Sequence, residues 1–213
     1  MTQTLDLKAL EKKAFRSTFE DGLWDIFIGL IFLQFAVAPL LNGLGLGDFW
    51  SSFIFLPVYL IVMVLLWMAK KRIILPRIGF FKASTERKTK MKRMNIILFI
   101  IMMIGFIVGV VIFITNIRPV HWIFPGVFTT IVFLNFGMGG YYLDVQRFYA
   151  YGLLNGLAIP VGEILYRKAG ASHHGFPIVF GMTSGIMIVT GILLFMRFMR
   201  SHPPARGGAD EKA

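Results

Sequence analysis

The chain has 213 residues, 56% of them hydrophobic and only 15% charged, with a mean hydropathy of +0.71. That balance excludes an ordinary water-soluble domain, because too little polar surface remains to face water. Cysteine is absent, which excludes disulfides, thiolate chemistry, thiolate-bound zinc and iron–sulfur clusters, and much of the net charge of +11 is concentrated in residues 70–94.

Residues 1–21 form a charged head, unlike a cleavable secretory signal or an acid-free transit peptide, so the first span is expected to act as an uncleaved anchor. Leu7, Leu10, Ala14 and Thr18 share one helical face, with Lys12, Lys13 and Arg16 toward the other. This predicts an amphipathic helix lying at the inner membrane interface; a dimer contact and a solvated helix are the alternatives.

Six apolar runs follow: Gly22–Leu41, Trp50–Ala69, Asn95–Thr115, Trp122–Gly140, Phe148–Tyr166 and Phe176–Met196. At 1.5 Å per residue each is long enough to cross roughly 30 Å of hydrocarbon. Lipid offers no partner to a free backbone N–H or C=O, and the runs lack the alternation of barrel strands. The predicted fold is therefore all-α, a six-span polytopic transmembrane bundle over residues 22–196.

Basic residues set the expected orientation. Nineteen of the 22 Lys and Arg lie in the head, in 70–94, in 141–147 and after residue 196, and three lie in the other connections. The positive-inside rule then places both termini and the 70–94 loop in the cytoplasm of a prokaryotic inner membrane. Trp50, Trp122, Tyr166 and Phe176 fall at the outer boundaries, and Trp24, Trp67, Tyr141, Tyr142 and Phe148 near the inner ones, as interfacial anchors do.

In the first span, Asp25 follows Glu20 and Asp21 near the start of a helix, where exposed N–H groups favour acids. Capping or interface placement is expected for it. Gln34 lies mid-span.

The loop after the second span carries ten Lys or Arg against one acid, Glu86. Pro76 and Gly79 predict a bend along the membrane surface with Phe80 and Phe81 dipping inward, followed by a helix capped at Ser84 that runs into the third span. Arg77, Lys82, Arg87, Lys88, Lys90, Lys92 and Arg93 are the residues expected to dock anionic lipid or a protein partner, beyond setting topology. No nucleic-acid recognition fold accompanies them. The Leu75-Pro76-Arg77-Ile78-Gly79-Phe80-Phe81-Lys82 stretch, with Asp25 and Gly29 in a Gly-rich first span, resembles a group of small uncharacterised bacterial multi-pass membrane proteins. The resemblance implies the topology and no activity.

Glycines four apart recur in three spans: Gly105 and Gly109, Gly152 and Gly156, Gly181 and Gly185. Such pairs let helix backbones approach, within the bundle or across a homodimer. Gln34, Asn135, Asn155, Thr129, Thr130, Thr183 and Ser184 are expected to hydrogen-bond between helices, and Asp25, Gln34, Asn135, Asn155 and Glu163 are the candidates for any intramembrane polar site. Glu163 has Arg167 four residues on, the spacing of a helical ion pair, and lies at the opposite end of the bundle from Asp25. Pro160 allows a broken helix in the fifth span. His121, His173 and His174 fall in outer loops as solvated residues, with no metal site expected, and residues 197–213 read as a disordered cytoplasmic tail.

No nucleophile–base pair, carboxylate dyad or cofactor motif is present, so the leading reading is non-enzymatic: an inner-membrane protein with membrane lipids as partners and a polybasic docking loop. A small transporter or channel subunit, oligomeric, with a pathway near Gln34, Asn135 and Asn155 is the rival. An enzyme acting on lipid is third.

Overall fold

The computed structural model describes Phe15 and residues 18–78, 84–115 and 123–203. Among these residues six helices are long and apolar enough to cross a membrane: Leu23–Leu46, Phe49–Arg77, Thr85–Val111, Pro125–Leu143, Arg147–Ala169 and His173–Ser201. There is no strand among the described residues. The protein is a six-span, all-helical membrane bundle.

Neighbours in the bundle are antiparallel. The second span packs on the first, the first on the sixth, the sixth on the fifth, the fifth on the fourth and the fourth on the third. The first and fourth also meet, through Phe32 and Phe136 (ring centroids 5.7 Å apart) and Phe35 and Phe128 (5.9 Å). Spans one, four, five and six thus enclose an aromatic core with Phe180 and Tyr151 at its centre. Within the apolar stretch, 44% of the fifth span but none of the second and 6% of the third is buried. Uniform apolarity suits those two flanking helices, because lipid covers whatever protein does not.

Glycine makes the first–sixth seam tight. A Cβ on Gly191 would sit 2.7 Å from the carbonyl oxygen of Gly22 and 2.8 Å from the amide nitrogen of Ile26, and one on Gly29 would sit 2.7 Å from Ile188 Cγ1. Of the expected glycine pairs, Gly152 and Gly156 do form a seam, against Phe136 and Phe133 of the fourth span. Gly105 faces Ile131, but among the described residues a Cβ on Gly109 or Gly185 would touch nothing, and one on Gly181 only Ala36 at 3.9 Å. The four-residue spacing alone did not distinguish a packed stripe from one facing lipid.

The fifth span is two helices, Arg147–Gly156 and Ala158–Ala169, joined at Leu157. Proline at 160 has no N–H to give the carbonyl of Gly156, the usual partner one turn back. Thr129 of the fourth span supplies the missing donor, its Oγ1 lying 2.7 Å from that oxygen.

Two expectations about chain ends of spans are corrected. No bend begins at Pro76: a π-type turn at Lys70–Ile74 leads into a helical turn at Leu75–Ile78, so the second span continues as a helix to residue 78. The wider turn accommodates the ring, and Ile74 is buried against Leu23 and Phe198. The sixth span runs to Ser201, past the expected start of a disordered tail, with Phe198 holding its last turns to the bundle. The Ser84 cap is present: its Oγ accepts from the Arg87 amide at 3.3 Å, and helix follows over Thr85–Thr115. The head helix, the Phe80–Phe81 dip, His121, Trp122 and residues 204–213 lie outside the described residues.

Trp24, Trp50, Trp67, Tyr141 and Tyr166 are exposed, as interfacial anchors are. Phe148 is not among them. It is buried in the core beside Phe136 and Tyr151 because the fifth span enters the bundle directly after Asp144.

Candidate functional site

Three acids at the basic end are each taken up by one cation. Asp25, fully buried one turn into the first span, accepts from Arg147 Nε at 2.5 Å, from Arg147 Nη2 at 2.8 Å and from the Tyr151 hydroxyl at 2.8 Å. Arg147 Nη2 also donates to the carbonyl oxygen of Phe19, so one planar guanidinium ties the fifth span to both the first span and the segment before it. Asp25 therefore has the interface role expected of it, not a cap: it is the anchor of an ion pair in the bundle interior.

Asp21 is also fully buried. Its Oδ1 accepts from the Leu23 amide at 3.0 Å, which caps the first span, and Lys70 Nζ lies 3.5 Å from Oδ2. Lys70 in turn donates to the Thr18 carbonyl oxygen at 2.9 Å and lies over the rings of Phe19 and Trp24. Burial pushes the Asp21 carboxyl above the usual carboxylate range, although Lys70 and the Leu23 amide pull the other way. The third pair joins Asp144 to Arg87, 3.7 Å apart, with the Arg87 guanidinium over the Phe15 ring.

These contacts divide the expected docking residues. Arg87 is engaged inside the protein, Arg77 reaches Met199 Sδ at 2.7 Å, and Lys90 lies over Tyr141 and Tyr142 at 5.1 and 5.6 Å from their centroids. Lys88, Lys92 and Arg93 are exposed. Lys82 lies outside the described residues. Lys88, Met91, Lys92, Asn95, Ile96 and Phe99 line one cleft of about 510 Å³ along the start of the third span. Arg93 and Lys90 border a second cleft of about 560 Å³ with Thr85, Thr89, Tyr141, Tyr142 and one acid, Glu86. In both, ammonium or guanidinium groups stand next to exposed rings or apolar side chains.

The expected intramembrane polar residues do not converge. Asn155 is fully buried; its amide donates to the Tyr151 carbonyl at 2.9 Å and lies 3.0 Å from Met187 Sδ, while its Oδ1 accepts from Thr183 at 3.1 Å. Asn135 donates at 2.7 Å to Ile131 O of its own helix. Gln34 meets the second span instead, accepting from the Tyr59 hydroxyl at 2.7 Å. Asn155 thus extends the Asp25–Tyr151 cluster inward, and Gln34 belongs to another part of the molecule.

At the far end Glu163 pairs with Arg167 Nε at 2.7 Å, as its spacing predicts, and also lies 3.0 Å from His174 Nδ1. His174 packs near Tyr166, with centroids 4.4 Å apart, and its side chain is 55% exposed, so His173 and His174 are both solvated as expected while the His174 ring is held on one side. His, Asp and Glu form no group of three suited to a metal among the described residues.

Sequence reasoning counted Arg147 only as a loop cation and missed its pairing. The available signal was that it is the only Lys or Arg between residues 119 and 166, placed at the entrance of a span on the same side as a membrane-embedded acid. No protein-family model, curated protein or solved structure matches the chain.

Proposed function

We propose that this protein is a non-enzymatic component of a prokaryotic inner membrane, with both termini in the cytoplasm, whose basic end binds anionic lipid headgroups. The observation that carries this reading is the division of cations. Lys70, Arg87 and Arg147 pair with Asp21, Asp144 and Asp25, while Lys88, Lys92 and Arg93 stay exposed on the first turns of a lipid-facing helix.

Lys88 and Lys92 stand one turn apart on the stripe that continues as Ile96 and Phe99. A phospholipid fits that stripe in one orientation, with phosphate beside the ammonium groups and acyl chain along the apolar side chains below. Each such cation near an anionic surface contributes about 1 kcal/mol, which salt screens within about 8–10 Å. Phosphate contact by Arg93 and Lys90 beside the two tyrosines would add a second position.

The test is lipid retention by the purified full-length protein in neutral detergent. Phosphatidylglycerol should stay bound at low salt and be released as salt rises. Combined Lys88→Gln, Lys92→Gln and Arg93→Gln substitution should weaken binding by about a hundredfold, following from about 3 kcal/mol for three cations. Undiminished binding in that variant, with folding intact, would remove the reading.

A further inference from the structure

We infer that the end opposite the basic loop holds a binding site for a membrane amphiphile with an uncharged, hydroxyl-bearing headgroup. Two clefts adjoin there between the first span, the start of the second and the turn before the sixth. One has a volume of about 320 Å³ and the other about 350 Å³, and Gln34 and Ser52 line both. Together they fall in the size range of small-ligand sites.

The two halves differ in chemistry. Toward the turn Asn42, Ser51, His173 and His174 add polar groups to walls that also hold Phe35 and Phe176; toward the second span the walls are Phe49, Phe53, Phe55 and Leu56. Gln34 stands at the junction. Its Oε1 is taken by the Tyr59 hydroxyl, so the group it offers to the cleft is its amide N–H pair. Exposed Ser52 adds a hydroxyl that both donates and accepts.

The turn is fixed in an uncommon conformation. His173 and His174 both have positive φ, 50° and 53°, a left-handed pair without glycine. Glycine at 175, itself left-handed, lets this turn press onto the fifth span, where a Cβ would come within 2.7 Å of the Gly162 carbonyl oxygen. Glu163 holds His174 Nδ1, and Tyr166 backs the ring. A histidine oriented through Nδ1 by a carboxylate presents Nε2 as an acceptor when neutral.

This lining selects the ligand class. Among the described residues no Lys or Arg lines either cleft, so a phosphate would meet no fixed counter-charge there. A hydroxyl needs both a donor and an acceptor opposite it, which Gln34, Ser52 and His174 supply. The phenylalanines of the second span lead from that polar pocket to the lipid-facing surface, where Leu56 is exposed, so an acyl chain can leave sideways. A glycosylated diacylglycerol has this division into sugar and chains; an anionic phospholipid has the wrong head.

The site stands independently of the anionic-lipid reading, since the two occupy opposite ends and share no residue. The experiment offers the full-length protein in detergent an equimolar mixture of monoglucosyl-dioleoylglycerol and dioleoyl-phosphatidylglycerol, and counts retained lipids by native mass spectrometry. Wild type should retain one glucolipid, and Gln34→Leu should lower its occupancy about fivefold while leaving phosphatidylglycerol bound. Should Gln34→Leu unfold, as judged by its melting curve, Ser52→Ala at an exposed position supplies the comparison with an expected loss of about threefold. Equal glucolipid retention in wild type and the folded variants would overturn the proposal. So would a phosphatidylglycerol adduct that the Gln34→Leu or Ser52→Ala change removes while the Lys88, Lys92 and Arg93 substitutions leave it in place.

Discussion

Replacing Arg147 by Met should be among the most damaging single changes at a position that is not fully buried. It removes two charge-assisted hydrogen bonds, of 2.5 and 2.8 Å, from a carboxylate with no exposed surface, and leaves Asp25 with only the Tyr151 hydroxyl. At about 2.8 Å and an effective dielectric of about 20, the attraction between unit charges is about 6 kcal/mol. Dehydration of the two groups offsets part of this, and breaking a buried pair from one side is expected to cost about 3–5 kcal/mol. Asp25→Asn should cost less, because Arg147 keeps partial access to water and can turn its head outward. The double variant should therefore be more stable than Arg147→Met alone. Reversible unfolding in mixed micelles, followed by circular dichroism, measures all four corners of the cycle. An Arg147→Met cost below about 1 kcal/mol, or strictly additive effects, would refute the reasoning.

The glycine seams make a graded prediction. Gly191→Ala must displace backbone atoms of the first span and should cost about 1–3 kcal/mol, whereas Gly109→Ala and Gly185→Ala meet open space and should be silent in the same unfolding assay. At the helix break, Thr129→Val leaves the Gly156 carbonyl without its donor and should cost about 1–3 kcal/mol. Pro160→Ala restores a backbone donor, so the cost of Thr129→Val should shrink in that background. For Asp21 the sign runs opposite to an ordinary exposed ion pair, because its folded-state value is raised. Its contribution to stability is fully present below the unfolded value of about 3.9 and is lost as pH rises through the raised one. Melting temperatures from pH 4 to 7 should therefore fall less steeply with rising pH in Asp21→Asn than in wild type; parallel curves would exclude this role.

Much of the architecture was legible because the bilayer imposes a length and an apolar composition on each helix, so all six spans could be read from the order of residues. The Ser84 cap and the Glu163–Arg167 pair were also legible, since both depend on residues within one turn of each other. Contacts between distant spans were not. Asp25 and Arg147 are 122 positions apart, and nothing local distinguishes an acid that caps its own helix from one that pairs across the bundle. Gly22, Gly29 and Gly191 mark the tightest seam but do not share the spacing that singled out Gly181 and Gly185. Gln34 and Asn155, alike as mid-span amides, are separated because helix rotation directs one to Tyr59 and the other to Thr183. Rotation about the helix axis carries little signal when every face is apolar.

The absence of native cysteine makes the topology directly measurable. Thr89→Cys and Gln146→Cys lie at the basic end, and Ser172→Cys at the other, all at exposed positions. A membrane-impermeant maleimide applied to intact spheroplasts should label Ser172→Cys alone, with Thr89→Cys and Gln146→Cys reacting only after the membrane is opened. Labelling of Thr89→Cys in intact cells, or equal labelling at all three positions, would contradict a six-span bundle with its cationic end inside.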